Sequence, residues 1–206
     1  MSGIVGWSAY AVDVVDADQQ PDLAAAIDDV RESSLDAINV VDGLLALALA
    51  HADQLDPVAV DPLAALQRAV ERVKRLAPEG TITIEPSAEF PQVLGHPVAL
   101  EAVWSNLLSN ALKYGGPPPW VRVTIDIGTG VARFEVTDNG DRVAEGVEPF
   151  GEFVASTEAR WSHGLGLPIT RHFVERFGGR IGHRPAVGGG TTFWFELSMA
   201  AQPVTS

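Results

Sequence analysis

The apolar residues of this chain follow a helical period in its first part and a mixed pattern beyond it. From residue 23 to about residue 49, apolar positions recur at alternating steps of three and four, which predicts an amphipathic helix with a heptad seam. Residues 1–18 show a shorter stripe of the same kind, and a polar break separates the two stripes. A hairpin this small cannot bury its own apolar faces, so we expect residues 1–55 to form an antiparallel helical hairpin that dimerises into a four-helix bundle. The alternative is a hairpin that packs on its own domain.

Residues 56–62 are predicted to be a linker at the start of a second domain, which covers residues 56–200 and precedes a tail at 201–206. Asp61 is expected to cap the next helix, because Pro62 suits the first helical position. Helices are predicted at 61–76, from Pro97 to the glycines and prolines of 115–119, and at 164–177. Strands with alternating polarity are predicted at 81–84, 121–127, 131–136, 180–183 and 191–197.

This order of helices and antiparallel strands predicts an α+β fold, a two-layer α/β sandwich with its helices on one face of the sheet. Residues 128–130 are expected to form a hairpin turn between two strands. Residues 141–163 contain no long periodic run and are predicted to form a mobile loop. His96, just before Pro97, is expected to be a helix N-cap rather than a ligand.

Composition and charge narrow the range of functions. The formal net charge of −13 argues against a nucleic-acid partner. It leaves room for a nucleotide, whose phosphates can be bound by a metal ion, backbone N–H groups and one lysine. The chain has no cysteine, which excludes disulfides and thiolate metal sites, and its histidines lack the paired spacing of a zinc site. No apolar run approaches the ~20 residues of a membrane helix, so no membrane segment is expected.

Candidate chemistry is concentrated in residues 106–115. Asn106 and Asn110 are four residues apart and therefore lie on one face of the predicted helix, at the edge of its apolar stripe. Lys113 returns to nearly the same face and is one of only two lysines in the chain. Amide oxygens and an ammonium group in this position could reach a bound ligand. The alternative is an ordinary helix with a polar solvent edge and a lysine that complements the helix dipole.

Four motifs in this order resemble those of the ATP-binding domain of sensor histidine kinases, the Bergerat-fold ATPases. Residues 106–114 look like the N box, 136–140 like the G1 box, 163–167 like the G2 box, and 189–193 like the last glycine motif. Glu148, Pro149 and Phe150 lie where the family has a lid segment that contains a phenylalanine. The resemblance covers about residues 61–200, and it is the joint match that makes it specific.

The resemblance implies catalytic roles for two residues and nucleotide binding for several more. Asp138 would accept a hydrogen bond from the adenine amino group, and Gly140 would let the base approach closely; an isolated Asp-Asn-Gly would usually be only a turn. Asn110 would offer its neutral oxygen to Mg²⁺. Asn106 and Lys113 are the expected catalytic residues. Asn106 would position a phosphate or a water molecule, and Lys113 would contact a phosphate.

The remaining motif residues are expected around the same nucleotide. Tyr114 would pack beside the nucleoside. Gly164 and Gly166 would open a helix whose free N–H groups and positive dipole end meet the phosphates. Leu165, Thr191 and Thr192 complete the predicted binding residues. A dinucleotide fold is excluded, because the glycine pair lacks a third glycine and the preceding strand of a βαβ unit, and the chain has no Walker P-loop.

The chain departs from the family pattern at several positions. Its hairpin resembles only the later part of the dimerisation domain, so we expect the phosphoacceptor segment to be missing; His51, the nearest histidine, occupies a linker position. Arg142 stands where the G1 box usually has its second glycine, and Ser162 replaces the first glycine of the G2 box. Both changes fall at the ends of the lid, so closure over the phosphates is expected to suffer more than adenine binding. Arg160 is placed either to reach the γ-phosphate or to lie in solvent.

We therefore predict the ATP-binding catalytic core of a cytoplasmic, dimeric sensor histidine kinase of a two-component system, with ATP and Mg²⁺ as cofactors and a response-regulator receiver domain as partner. It would transfer a phosphoryl group to a histidine that is not in its usual place in this chain. One alternative is a non-catalytic dimeric docking or phosphotransfer-type module with a degenerate ATP domain. Another is an anti-sigma-type kinase that phosphorylates a partner serine, against which the helical hairpin argues.

Overall fold

The computed structural model describes residues 56–76, 80–85, 90–151 and 166–201, together with Leu23, Ala26 and Val30, which are helical. The rest of the predicted hairpin, residues 152–165 of the predicted loop and G2 box, and the tail beyond residue 201 lie outside the described residues. The hairpin, the four-helix bundle and the domain boundaries therefore stay predictions.

From residue 56 onward, the described residues form three helices and seven strands. The helices are α1 (Pro62–Leu76), α2 (Pro97–Lys113) and α3 (Gly166–Arg176). The strands are β1 (Val58–Val60), β2 (Thr81–Ile84), β3 (Val93–Gly95), β4 (Trp120–Ile127), β5 (Val131–Asp138), β6 (Arg180–Pro185) and β7 (Thr191–Ser198). Among the residues described, no helix has both the length and the apolar character needed to cross a bilayer.

Five strands form one sheet in the order β2-β4-β5-β7-β6, and β1 and β3 form a separate antiparallel ribbon. Within the large sheet, β2 runs parallel to β4 and the other neighbours are antiparallel. The helices pack on one face of this sheet. Ala132, Phe134 and Val136 alternate along β5 and are fully buried, as expected for a strand with one face on the core. The predicted α+β sandwich is confirmed.

Trp104, in the middle of α2, forms the centre of the core between helices and sheet. Its ring lies 5.5 Å from that of Phe134 and 5.0 Å from that of Phe195, edge-on to both. The two phenylalanines are paired across β5 and β7, and their rings stack at 4.9 Å. Each such pair contributes about 0.5–1.5 kcal/mol beyond the burial of its surface. These contacts fix α2 across the sheet and so set where its C-terminal end lies.

The cap of α1 has the predicted form. The Oδ1 atom of Asp61 accepts hydrogen bonds from the backbone N–H groups of Leu63 at 2.9 Å and Ala64 at 3.3 Å. The linker prediction for residues 56–62 is wrong in part, because Val58–Val60 forms β1 and pairs with β3. A three-residue strand is too short to show a period in the sequence, and its partner lies beyond a whole helix.

The bounds of other elements also differ from the prediction. Strand β5 continues to Asp138 because Asp138 pairs with Val121 on β4, and β6 continues to Pro185 because Pro185 pairs with Thr191 on β7. The parallel pairing of β2 with β4 was not predicted. His96 occupies the N-cap position of α2 with an extended backbone, but its side chain makes no capping hydrogen bond.

The sheet face that points away from the helices carries paired charges. Glu196 on β7 has 9% of its side chain exposed; Nε of Arg133 donates to one of its carboxylate oxygens at 2.8 Å and Nε of Arg180 to the other at 2.9 Å. Burial alone would raise the pKa of Glu196, but the hydrogen bonds and charges of the two arginines outweigh burial and hold this pKa below its ordinary value. The guanidinium of Arg133 also lies 4.3 Å from the ring centroid of Trp194.

Candidate nucleotide-binding site

The end of β5 brings a buried carboxylate close to the C-terminal end of α2. Asp138 is only 4% exposed. Its Oδ1 atom accepts hydrogen bonds from the backbone N–H of Gly140 at 2.9 Å and of Thr191 at 3.2 Å. Within the described part of the chain, no hydrogen bond reaches its Oδ2 atom. Asp138 is therefore a fixed group with one oxygen left to accept a hydrogen bond from a ligand.

Burial raises the pKa of Asp138 above its usual value, and the hydrogen bonds from Gly140 and Thr191 offset only part of this effect. The carboxyl is therefore protonated more easily than that of an exposed aspartate. A ligand that donates a hydrogen bond to it would favour the ionised form and lower the pKa again.

Two glycines allow the backbone segments around Asp138 to touch. A Cβ atom on Gly140 would lie 1.8 Å from the carbonyl oxygen of Tyr114, so no side chain fits there. Gly190 has a φ of +83°, and a Cβ on it would lie 2.0 Å from the carbonyl oxygen of Asp138. The structure thus brings Tyr114, Asp138, Gly140 and Thr191 into one compact cluster.

The two predicted threonines point to different places. The Thr191 hydroxyl donates to the carbonyl of Asp141 and accepts from the N–H of Val143, both at 3.2 Å, and so holds the start of the segment after β5. The Thr192 hydroxyl is 2.9 Å from that of Thr137 on β5, on the sheet face opposite the helices. The Thr192 side chain is therefore not brought to the Asp138 cluster.

Asn106 joins α2 to the start of α3. Its side chain is buried, with the residue only 6% exposed, and its Nδ2 atom donates to the carbonyl of Gly166 at 3.1 Å and to the Thr170 hydroxyl at 3.4 Å. The Thr170 hydroxyl donates to the same carbonyl at 2.8 Å. Asn106 and Gly166 are therefore brought together, and the first turn of α3 is held against α2. Gly164 and Leu165 lie outside the described residues.

Asn110, Lys113 and Tyr114 follow along α2 and its cap, all of them half-buried. The N–H of Tyr114 donates to the carbonyl of Asn110 at 2.9 Å, which closes the last turn of the helix. The ammonium nitrogen of Lys113 lies 5.6 Å from the ring centroid of Tyr114. Along α2, Asn110 and Lys113 are thus placed between the Asn106 contact with α3 and the Asp138 cluster.

The predicted lid segment is anchored at its described end. Phe150 is 4% exposed; its ring lies edge-on to Phe193 at 5.9 Å and 6.3 Å from the ring of His183. Arg142, in place of the usual glycine, is exposed. Arg160 and Ser162 lie outside the described residues.

Asn139 is a residue of this cluster that the sequence did not single out. Its side chain ties the loop after α2 to the end of β5. An Asn-Gly pair in a sequence indicates a turn of the backbone. It does not indicate which distant residues the Asn side chain binds, so the contacts of Asn139 could not be predicted.

Comparisons with known proteins agree with this geometry. Residues 95–201 match the family described as histidine kinase-, DNA gyrase B-, and HSP90-like ATPase. The sensor histidine kinase AruS of Pseudomonas aeruginosa is 38% identical over 112 residues, which are 49% of this chain and 11% of AruS. The sensor protein CutS of Streptomyces coelicolor is 30% identical over 158 residues, 73% of this chain and 38% of CutS. A structure of full-length ShkA in complex with AMPPNP is 28% identical and covers 87% of this chain and 40% of its own, with a TM-score of 0.66.

Fold and site together define a nucleotide-binding domain of the α+β sandwich class. The chain belongs to the histidine kinase-, DNA gyrase B- and HSP90-like ATPase family, and it contains the ATP-binding domain of a sensor histidine kinase. The family resemblance drawn from the four motifs is confirmed. The chain spans 11% of the length of AruS and 38% of the length of CutS.

Proposed function

We propose that this chain binds Mg·ATP and is the catalytic core for phosphoryl transfer to a histidine. The observation that carries the proposal is the carboxylate of Asp138, which is buried, held at one oxygen by two backbone N–H groups, and without a protein hydrogen bond at the other among the described residues. A buried acceptor suits the adenine amino group, since the low local dielectric strengthens the bond and penalises ligands that lack a donor.

The adenine end of the site consists of Asp138 and the backbone around it. Gly140 and Gly190 have no room for a side chain because other backbone segments lie against them, and this close packing fixes the main chain around Asp138. Tyr114 packs beside the nucleoside, and Thr191 holds Asp138 through its N–H. Thr192 supports the site only as the neighbour of Thr191 in strand β7, since its hydroxyl is engaged with Thr137 and its strand is paired on both sides.

The phosphate end consists of α2 and the start of α3. Lys113 supplies positive charge to a phosphate in a chain whose net charge is −13. Asn106 positions a phosphate or water and holds the first turn of α3 through the Gly166 carbonyl. Phosphate oxygens accept hydrogen bonds from the backbone N–H groups of Gly164, Leu165 and Gly166.

Asn110 is the proposed Mg²⁺ ligand. A neutral amide oxygen is a ligand that Mg²⁺ accepts, and this ion commonly takes one or two protein ligands together with waters and substrate phosphates. Among the described residues no group of three or more His, Asp or Glu side chains could hold a metal, which fits an ion that arrives with the nucleotide. When bound, Mg²⁺ neutralises charge on the triphosphate, and the side chains of the site hold the reactants in position.

We further infer that residues 1–55 dimerise, that the phosphoryl group passes from a histidine to a response-regulator receiver domain, and that the protein works in the cytoplasm. The similarity to the sensor histidine kinase AruS and the sensor protein CutS supports this context. The exposed Arg142 at a position where the family usually has glycine favours the second candidate, a docking module that no longer turns ATP over.

Titration of ATP with and without Mg²⁺ tests the proposal. Wild-type protein is expected to bind ATP, and the Mg²⁺-dependent part of the affinity is expected to be lost in Asn110→Ala. The matched control is Gln67→Ala, which removes an exposed amide from α1 and should bind as wild type does. Absence of binding at millimolar ATP would overturn the proposal. Binding without phosphoryl transfer to a supplied histidine domain would favour the docking module.

A further inference from the structure

The Asn139 side chain connects two parts of the nucleotide site. Its Oδ1 atom accepts a hydrogen bond from the N–H of Trp120 at 2.9 Å. Its Nδ2 atom donates to the carbonyl of Pro118 at 2.9 Å and to that of Gly116 at 3.5 Å. A backbone N–H can only donate and a carbonyl can only accept, so these partners fix which end of the amide is which. One side chain thus supplies both an acceptor and a donor to the loop that follows α2.

The same two segments also touch through their backbones. A Cβ on Gly116 would lie 2.7 Å from the carbonyl oxygen of Asn139, and a Cβ on Gly140 would lie 1.8 Å from that of Tyr114. The loop after α2 and the turn after β5 therefore meet at two points where no side chain intervenes. Asn139 directly follows Asp138, which would bind the adenine end of a nucleotide, and its amide holds the loop that follows Lys113, which would meet a phosphate.

We propose that Asn139 is a positioning residue for nucleotide binding. Its two-sided hydrogen bonding fixes the loop at residues 115–120 and, with it, the end of α2 relative to the carboxylate of Asp138. A site held at a set spacing binds a rigid ligand more tightly than one whose two ends move independently, because less freedom is lost on binding. This inference rests on the proposed nucleotide site.

Asn139→Asp separates positioning from general stability. The carboxylate has the shape of the amide and can still accept from the N–H of Trp120, but in its ionised form it has no proton to donate to Pro118. Facing carbonyl oxygens disfavour the charged form and raise the pKa of the introduced carboxyl group. On acidification this group becomes protonated, and its O–H restores the missing donor.

The measurement is the Kd of ADP, which cannot donate a γ-phosphoryl group, for wild type, Asn139→Asp and Asn139→Ala between about pH 8 and pH 5. At pH 8 both variants are expected to bind about tenfold more weakly, the equivalent of one to two hydrogen bonds. As the pH falls, the ratio to wild type should approach one for Asn139→Asp and stay constant for Asn139→Ala. The charged side chains along the two joined segments are Lys113, Arg122, Asp138 and Asp141, and all three proteins carry them.

Ala69→Gly serves as the control for stability. Ala69 is fully buried on α1, so the variant should unfold at a lower temperature and yet bind ADP as wild type does. Asn139→Asp with wild-type affinity at every pH, or with a pH-independent loss like that of Asn139→Ala, would overturn the inference. If wild type itself does not bind ADP at millimolar concentration, the proposed nucleotide site fails instead.

Discussion

Asp138 is buried, and burial destabilises the charged form of its carboxyl group. Because its pKa is raised, the ionised carboxylate makes the ligand-free fold less stable than a neutral side chain would. The sign follows from linkage: the contribution of this group to stability is fully present below its unfolded pKa and is lost as the pH rises through its folded pKa. An adenine amino group that donates to the carboxylate would offset this cost only in the complex.

Asp138→Asn is therefore expected to raise the thermal midpoint of the ligand-free protein at neutral pH and to weaken ADP binding roughly tenfold to a hundredfold. In wild type, ADP affinity should fall as the pH is lowered through the raised pKa of Asp138, and this component should be absent from the variant. Differential scanning calorimetry and ADP titration across pH measure the two effects. A variant that is less stable and binds normally would contradict this account of the site.

For a single residue, the sequence predicts a role when the chemistry of that residue type determines it. It does not predict a role that depends on which distant residue the side chain contacts. Asp138 and Gly140 could be proposed from a motif. That the hydroxyl of Thr192 turns to Thr137, and that the amide of Asn139 reaches Trp120, depend on strand register and loop path, which no local pattern encodes.

Among the elements, the strands β5, β6 and β7 are joined on their outer face by Glu196 and its two arginines. Glu196→Gln is expected to lower the free energy of unfolding at neutral pH by about 1 kcal/mol, since Arg180 is largely exposed and solvent screens its charge. The lowered pKa of Glu196 means that its contribution is present above the unfolded pKa and is lost as the pH falls through the folded one. The difference between the variant and wild type should therefore shrink in acid.

Urea denaturation at several pH values measures this difference. Glu175→Gln is the control, because Glu175 pairs with Arg171 on the exposed surface of α3 and its loss should leave the denaturation midpoint unchanged. An effect of Glu196→Gln that grows toward low pH would show that the arginines do not stabilise the carboxylate.

The predicted elements that the structure confirms have enough residues to display a period, and even the four residues of β2 alternate in polarity. The helices α1 and α2 and the eight-residue strands β4 and β5 repeat their apolar positions several times. β1 and β3 have three residues each and exist because they pair with one another. The parallel pairing of β2 is likewise decided by the packing of the whole sheet.

At the scale of the whole molecule, the described domain has its own hydrophobic core. Each of its three helices contacts the large sheet or another helix. We expect the full chain to sediment as a dimer and a chain of residues 56–206 to sediment as a monomer, with the same affinity for ADP. Analytical ultracentrifugation and ADP titration of both proteins provide the test. A monomeric full chain would contradict dimerisation through residues 1–55, and a fragment that loses ADP affinity would contradict the independence of the site.

The contacts of Asn139 also bear on the chemical lifetime of the protein. In a flexible chain, an Asn-Gly pair deamidates spontaneously: the backbone nitrogen of the glycine attacks the side-chain amide carbon and ammonia leaves, and water then opens the resulting cyclic imide to aspartate or isoaspartate. Here the N–H of Gly140 donates to Asp138 at 2.9 Å, and both ends of the Asn139 amide are held by the loop after α2. The folded domain thus slows deamidation at Asn139, whereas each unfolded period exposes the proposed nucleotide site to irreversible damage.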